Sequence, residues 1–414
     1  MLREKVDVLV IGAGPAGTVA ASLVNKNGFS CKIVEKQKFP RFVIGESLLP
    51  RCMEHLEEAG FLEALKAQGF QEKFGAKFVR GNQVCDFNFS DQFSNGWNWT
   101  WQVPRGKFDQ VLATEVANQG VPVEFEMGVT DIKFFGTDSI TTVEDHAGNK
   151  KEIEAKFIID ASGYGRVIPR LFNLDKPSNF DPRKTLFTHI KDTNRPEGID
   201  GNRITVVIHQ PRTWIWVIPF STGITSVGFV GDPSFFEGLN GTEEEKLRAI
   251  IESDPIIAKR FRGCEFDFEP RIIEGYAISA KKLFGDGFVL TGNSSEFLDP
   301  IFSSGVTFAM ESGSKAGKLV SKFLKGETVD WEKDFVEHMM QGINTFRSYV
   351  AAWYEGHLQE IFFAPNPDPT YKKQICSVLA GYVWDLENPF VRKHTRAIKS
   401  LADVIRLERQ EQPS

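Results

Sequence analysis

The chain has 414 residues, beyond the ~250–300 at which a single hydrophobic core stops growing, so two lobes are expected. Its 41% hydrophobic and 25% charged residues are those of an ordinary globular protein, and a net charge of −6 leaves no basic footprint for nucleic acid. No apolar run approaches the ~20 residues of a transmembrane segment, and Met1-Leu2-Arg3-Glu4-Lys5 does not read as a signal peptide. The five scattered cysteines lack metal spacing and read as reduced core residues of a cytoplasmic protein.

Val6 to Ile11 reads as a buried strand, followed at once by Gly12-Ala13-Gly14-Pro15-Ala16-Gly17, a helical Thr18 to Asn25, and a second strand Cys31 to Val34 ending in Glu35. This is a complete dinucleotide-binding βαβ unit. Gly12 permits the tight turn, Gly14 lets backbone approach a pyrophosphate, and Gly17 lets helix and strand pack closely. The helix N-terminus offers free N–H groups to phosphate. Glu35 can accept from ribose hydroxyls, and an acid there disfavours a 2′-phosphate, hence NADP.

A loop from Lys36 to Arg41 leads through Gly45-Glu46-Ser47-Leu48-Leu49-Pro50 into helices up to about Gly69. Phe74 to Asn88 alternates like a strand, and Trp97 to Val103 like another. Arg105 to Asn118 is a helix with an apolar stripe, and Arg105 near its start suits a phosphate or ribose. Strands follow from Val121 to Thr142, and the short Phe157 to Asp160 ends in Ala161-Ser162-Gly163. From Lys184 to Val230 strand-like segments succeed one another without a long helix, which predicts an antiparallel sheet. A helix runs from Thr242 to Phe261, with Thr242 and Glu245 as a capping box. Gly287 to Gly292 returns to a buried strand, Asn293 and Asp299-Pro300 follow, and Ser303-Ser304-Gly305-Val306 opens a helix to Phe323, an anion-binding geometry. The remainder is mainly helical. Its pairs Met339-Met340, Trp353-Tyr354 and Phe362-Phe363 suit core packing over a docking surface, and most of the 36 phenylalanines read as core, a minority as pocket lining.

The expected fold class is α/β with an α+β insertion. A discontinuous Rossmann-like FAD-binding domain takes 1–72, 104–170 and 275–325. An antiparallel-sheet substrate domain takes 73–103 and 171–274, and a helical C-terminal region takes 326–414.

Together these motifs resemble the group of flavoproteins that includes p-hydroxybenzoate hydroxylase, the geranylgeranyl reductases and the flavin-dependent halogenases, over about residues 1–325. Trp214-Ile215-Trp216-Val217-Ile218-Pro219 matches the WxWxIP signature of the halogenases, and Phe297 to Val306 resembles those acting on phenols or carrier-bound pyrroles. The resemblance implies FAD held by Gly12, Ala13, Gly14, Pro15, Ala16, Gly17, Glu35, Lys36, Glu46, Ser47, Arg105, Asp160, Ala161, Gly163, Gly292, Asn293, Pro300, Gly305 and Val306. It implies chloride or bromide at the N–H groups of Ser304 and Gly305, and a substrate gate at Trp214, Trp216 and Pro219. The family's catalytic lysine falls on Lys73. Strand alternation sets Lys73, Gly75 and Lys77 on one face, so only the resemblance favours Lys73. The sequence departs from the family at Asn293, where an aspartate is usual, and at Arg80.

The implied reaction is halogenation of an electron-rich aromatic, phenol- or pyrrole-like and free or carrier-protein-bound. It proceeds through a flavin C4a-hydroperoxide, hypohalous acid and the lysine. Electrons come from a flavin reductase or NAD(P)H. The alternative is a flavin monooxygenase or geranylgeranyl-reductase-like enzyme acting on an apolar substrate.

Overall fold

Two sheets, joined through a shared core, carry the chain. The computed structural model describes residues 3–178 and 180–411; Met1 and Leu2 of the expected N-terminal reading and the end of the expected helical tail at Ser414 lie outside them. The first sheet runs in the order Phe284–Gly285, Phe288–Leu290, Lys150–Asp160, Arg3–Ile11, Cys31–Glu35 and Val123–Phe125. Arg3–Ile11 pairs in parallel with both of its neighbours, as the βαβ unit requires. Its last four residues are buried and read as a continuous apolar run, and Cys31–Glu35 is buried throughout, with Lys32 paired to Glu4 and Glu124. The short strand expected at Phe157 is the end of an 11-residue strand, whose polar half pairs with the hairpin partner Asp138–Glu144.

Helix Pro15–Lys26 lies on one face of this sheet and packs on Ser304–Leu324 at very short range. A Cβ on Gly313 would stand 2.3 Å from the Ala16 carbonyl oxygen, and one on Gly317 2.8 Å from that of Ala20. Small residues four apart on both helices let the backbones touch, and this fixes the two helix starts, Gly14 and Ser304, on one cavity.

The second sheet orders Arg271–Glu274, Lys184–Lys191, Ile224–Gly231, Thr213–Pro219, Ile204–Gln210, Gly75–Arg80 and Gln83–Asn88. It is antiparallel, as expected, except that Ile204–Gln210 and Gly75–Arg80 pair in parallel. Ile215 and Val217 face helices Glu243–Ser253 and Pro255–Phe261, whereas Trp214, Trp216 and Ile218 face the main core, the two-faced strand the sequence predicts. The expected capping box at Thr242 and Glu245 is present. The single helix expected there is two: Pro255 has no N–H to continue the first, and Asp254 accepts from the N–H groups of Ile256 and Ile257 at 3.0 and 3.1 Å to start the second.

Residues 71–103 differ most from expectation. Gln71–Lys73 forms a two-stranded ribbon with Thr100–Gln102, and the chain then crosses at Phe74 into the seven-stranded sheet. Phe74 to Asn88 is therefore not one strand; Gly75–Arg80 and Gln83–Asn88 turn on Gly81 at φ +56°. The expectation that Lys73, Gly75 and Lys77 share a face fails for the same reason, because Lys73 belongs to a different sheet. Lys73 is buried, while Lys77 pairs with Asp200 at 2.8 Å.

Five helices from His338–Tyr354 to His394–Glu411 cover the remaining side. Met339, Trp353, Phe362 and Phe363 are buried in the main core, as expected. All five cysteines are free and buried. Among the described residues no helix is long and apolar enough to cross a membrane, and no group of three or more His, Cys, Asp or Glu could hold a metal.

Candidate active site

A cavity of about 990 Å³ runs from the Gly12 turn to the two tryptophans. Its size lies at the upper end of the ~300–1,000 Å³ of small-molecule and cofactor sites. At one end Gly12, Gly14, Pro15, Ala16, Glu35 and Lys36 line it. Gly12 has φ +104°, and a Cβ there would meet the Ala161 carbonyl oxygen at 2.4 Å. Gly17 stands behind the wall, where a Cβ would lie 2.0 Å from the Gly12 oxygen. Gly14 alone of the three faces open space, with Arg41 Nη2 at 3.6 Å as the nearest atom to a Cβ. Helix Pro15–Lys26 has no side-chain cap and no acid in its first turn, so its free N–H groups and positive dipole end face the cavity. Glu35 is held by the Ala13 N–H on Oε2 and the Gln37 N–H on Oε1, both at 2.9 Å. Ala13 thus acts by orienting the carboxylate and does not itself line the cavity.

Arg105 lines the middle of the cavity, but most of its donors are spent inside the protein. Nε and Nη2 grip Asp109 at 2.9 and 3.0 Å, and Nη1 donates to the carbonyls of Ile44 and Gly45. Arg41 holds the same aspartate at 3.0 Å and also lines the cavity. Ala161, Gly163, Gly292 and Asn293 form the opposite wall. Asp160 lies beneath it, fully buried, taking the N–H groups of Ser162 and Ile168 at 2.9 and 2.8 Å.

At the far end Asp299 accepts from the Ile301 N–H at 3.0 Å, and Ser303 turns the chain at φ +56° into helix Ser304–Leu324. No side chain caps this helix. Pro300, Gly305 and Val306 line the cavity, and Ser304 is buried just behind them. Trp214 and Trp216 line the facing wall, ring centroids 6.2 Å apart. Trp214 Nε1 donates to Tyr354 Oη, which donates to Asp299 Oδ2, each at 3.0 Å, and Trp216 Nε1 donates to Ser226 Oγ at 3.0 Å. Burial pushes the Asp299 carboxyl up to about 6. Pro219 stays off the cavity, its carbonyl accepting from Gln102 Nε2 at 2.5 Å.

Lys73 stands behind the wall formed by Glu46 and Ser47. Its ammonium donates to Ser47 Oγ at 2.8 Å and to the Leu48 carbonyl at 2.7 Å, and the Phe89 ring lies 5.6 Å away. Burial pushes its pKa down to about 7, and the nearby Arg203 charge acts in the same direction. Glu46 lines the cavity with Oε1 on His189 Nε2 at 2.7 Å and Oε2 buried without a partner. His189, Arg41 and Tyr354 have no sequence signal: each is a single residue brought in by long-range pairing.

Two uncapped helix starts, a ribose-ready acid and glycines that a Cβ would jam define a dinucleotide-binding flavoprotein fold, and an extended cavity with an unpaired buried carboxylate oxygen at its far half fits FAD. Comparison with known proteins agrees. The FAD binding domain family matches residues 5–253. A solved flavoprotein/dehydrogenase from Cytophaga hutchinsonii is 74% identical, covers 98% of this chain and 100% of its own, and superposes with a TM-score of 0.97. A 1H-pyrrole-2-carbonyl-[peptidyl-carrier protein] chlorinase from Pseudomonas fluorescens is 29% identical over 91% of this chain and 89% of its own. A tryptophan 2-halogenase from Chondromyces crocatus is 30% identical over 86% and 69%. The chain belongs to the flavin-dependent halogenase family and is an FAD-dependent enzyme.

Proposed function

We propose that the enzyme halogenates an electron-rich aromatic, phenol- or pyrrole-like, using Lys73 to deliver the halogen. One observation carries this reading: Lys73 is buried and hydrogen-bonded to Ser47, the residue that separates it from the cofactor cavity. Bound and reduced, FAD supplies the oxygen activation that turns halide into hypohalous acid. Gly12, Gly14, Glu35, Arg105 and Arg41 would hold its nucleotide half, and Glu46, Pro300 and Val306 line the part of the cavity left for the rest.

The residues divide the remaining work. The uncapped N–H groups at Ser304 and Gly305 offer a halide a site of positive potential. Trp214 and Trp216 keep organic substrate from that end of the cavity by bulk alone. Ser47 stands between the cavity and the lysine, where it can accept from the ammonium and donate to an arriving hypohalous acid. With a pKa near 7, Lys73 is available both as a cation that donates a hydrogen bond and as a neutral amine that takes up halogen. The nearest cysteine, Cys52, is no competing nucleophile, because burial raises its thiol pKa. Electrons reach the cofactor from a separate reductase or from NAD(P)H, and the protein works in the cytoplasm.

The test uses FAD-loaded protein, a flavin reductase with NADH, bromide, and a panel of phenols and pyrroles, read by mass spectrometry. A brominated product that disappears in Lys73→Met, with FAD content unchanged, supports the proposal. A hydroxylated product or a reduced double bond overturns it.

A further inference from the structure

His189 and Phe187 alternate onto one face of strand Lys184–Lys191, and the Phe187 ring lies 6.0 Å from that of Trp216. The histidine therefore belongs to the tryptophan side of the cofactor cavity. Its Nε2 stands 2.7 Å from Glu46 Oε1, and the two groups of this pair face different surroundings. The Glu46 side chain is 1% exposed and lines the cavity. The His189 side chain is 11% exposed and does not line the cavity, so its exposed edge faces outward. It emerges among a cluster of rings, with centroids of Phe268 at 4.8 Å, Phe220 at 5.2 Å and Phe42 at 5.9 Å. Phe42 is itself 38% exposed, which sets the cluster at the surface.

The carboxyl of this pair is incompletely bonded. Glu46 Oε2 is buried without a partner among the described residues, and an acceptor left so costs about 1–3 kcal/mol. The charged groups around the pair are engaged elsewhere. Arg105 Nη1 donates to the Gly45 carbonyl at 3.2 Å, and Lys73 donates to Ser47 Oγ. Arg271 stacks on the Phe42 and Phe268 rings at 4.5 and 4.7 Å. Lys191, next on the same strand face, pairs with Glu265 at 2.6 Å, and the Asp267 N–H donates to the His189 carbonyl at 2.8 Å. Among the described residues, imidazole and carboxyl have only each other as hydrogen-bond partners.

The chemistry of this cavity consumes protons. Reduced FAD with its hydride, dioxygen and halide give FAD, hypohalous acid and water only when two protons enter. Release of hydrogen peroxide instead takes one. The wall beside the pair is made by Trp214, Trp216, Ile218, Ile204, Val206 and Ile301, none of which acts as an acid or base. We propose that His189 and Glu46 pass protons from solvent to the cofactor cavity. The charged imidazole gives its Nε2 proton to Oε1 and becomes neutral. The carboxylic acid so formed makes a half-turn about its terminal bond, releases the proton on the cavity side and returns to carboxylate, while the ring regains a proton from water. The inference rests on FAD in the cavity and goes beyond the halogenase reading, since any reaction of reduced FAD with dioxygen there consumes protons.

The experiment loads wild type, His189→Gln, Glu46→Gln and the double variant with FAD and photoreduces the flavin without oxygen, halide or aromatic. Two electrons and one proton then enter the flavin. Its absorbance reads the electrons, and phenol red in weak buffer reads the proton. In wild type the two signals should move together. Glutamine at position 189 still donates to Oε1 but does not titrate. In His189→Gln, proton uptake should therefore lag at least tenfold behind reduction, with FAD affinity and melting temperature kept. Glu46→Gln should lag equally, and the double variant no further, as two members of one relay require. Proton uptake at the wild-type rate in either single variant overturns the proposal. Wild type supplies a second reading that needs no variant to fold: proton uptake should slow at least twofold in D2O, and an unchanged rate overturns the relay. Because no halide or aromatic is present, failure to halogenate leaves this result standing, and failure of the relay leaves the halogenase reading standing.

Discussion

Lys73 and Ser47 are joined by a 2.8 Å hydrogen bond, and of the two only Ser47 reaches the cofactor cavity. On the proposed halogenase reading, Lys73 would act across this one-residue partition, which would keep an aromatic on the lysine side apart from the cofactor.

Because burial holds Lys73 near 7, its protonation divides the working pH range. If the neutral amine takes up halogen, product formation rises as pH climbs through about 7, and Lys73→Met removes product at every pH. Stability follows with a definite sign. An unfolded lysine titrates near 10.4, so between about pH 7 and that value the unfolded state binds more protons and the folded state gains stability as pH rises. Melting temperatures from pH 7 to 10 should rise less in Lys73→Met than in wild type.

The two glycines flanking Pro15-Ala16 should fail differently. In Gly17→Ala the new methyl lies 2.0 Å from the Gly12 oxygen, so helix and strand must part. We expect a loss of about 1–3 kcal/mol in thermal stability together with loss of FAD. In Gly14→Ala the nearest atom is 3.6 Å away and φ is ordinary, so the apoprotein should melt within about 0.5 kcal/mol of wild type. Its added methyl occupies the path of the pyrophosphate, and FAD affinity should fall at least tenfold. Flavin fluorescence titration against melting curves separates the two.

What the sequence discloses here is local. The βαβ unit, the capping box and the two faces of Trp214 to Val217 depend on spacing within one element, and each is where the residues place it. Lys73 and Lys77 fell on one face only under the assumption of an unbroken strand. The break at Phe74 comes from two different partners further along the chain, Thr100–Gln102 for one side and Gln83–Asn88 for the other. Glu46 was legible as a motif residue, but its bond to His189 joins residues 143 apart. Arg105 shows the opposite limit. Its i,i+4 partner Asp109 was in plain view, and that pairing leaves the guanidinium less free for a cofactor than the motif alone suggests.

Gly228 supports the tryptophan wall from behind. A Cβ there would lie 2.2 Å from the Trp216 ring, which is enclosed and cannot swing away freely. Gly228→Ala should cost about 1–3 kcal/mol and push the indole toward the cavity. If the indoles separate oxidant from substrate, the displaced wall changes coupling: hydrogen peroxide released per NADH should rise while halogenated product falls. Unchanged coupling with lowered stability would assign Trp216 a packing role alone.

Glu311 ties helix Ser304–Leu324 to the C-terminal region. From helix Ser304–Leu324 it accepts from His55 at 2.8 Å, His338 at 2.7 Å and Arg51 at 3.0 Å, and His338 stacks on Trp384. Burial alone would raise its pKa, but the hydrogen bonds from His338 and His55 and the Arg51 charge outweigh it, so the carboxyl is held well below the usual range. A depressed carboxylate contributes stability that is present above its unfolded value, near 4.3, and is lost as pH falls toward the folded value. Glu311→Gln should cost about 1–3 kcal/mol at neutral pH, because Arg51 loses one of its two carboxylate partners and the hydrogen bonds to His55 and His338 lose their charged acceptor. The same variant should lose less stability than wild type between pH 5 and 3, since the titrating group is gone. Melting curves across that range check both signs, and an equally steep acid limb in the two proteins would move the acid sensitivity away from this carboxylate.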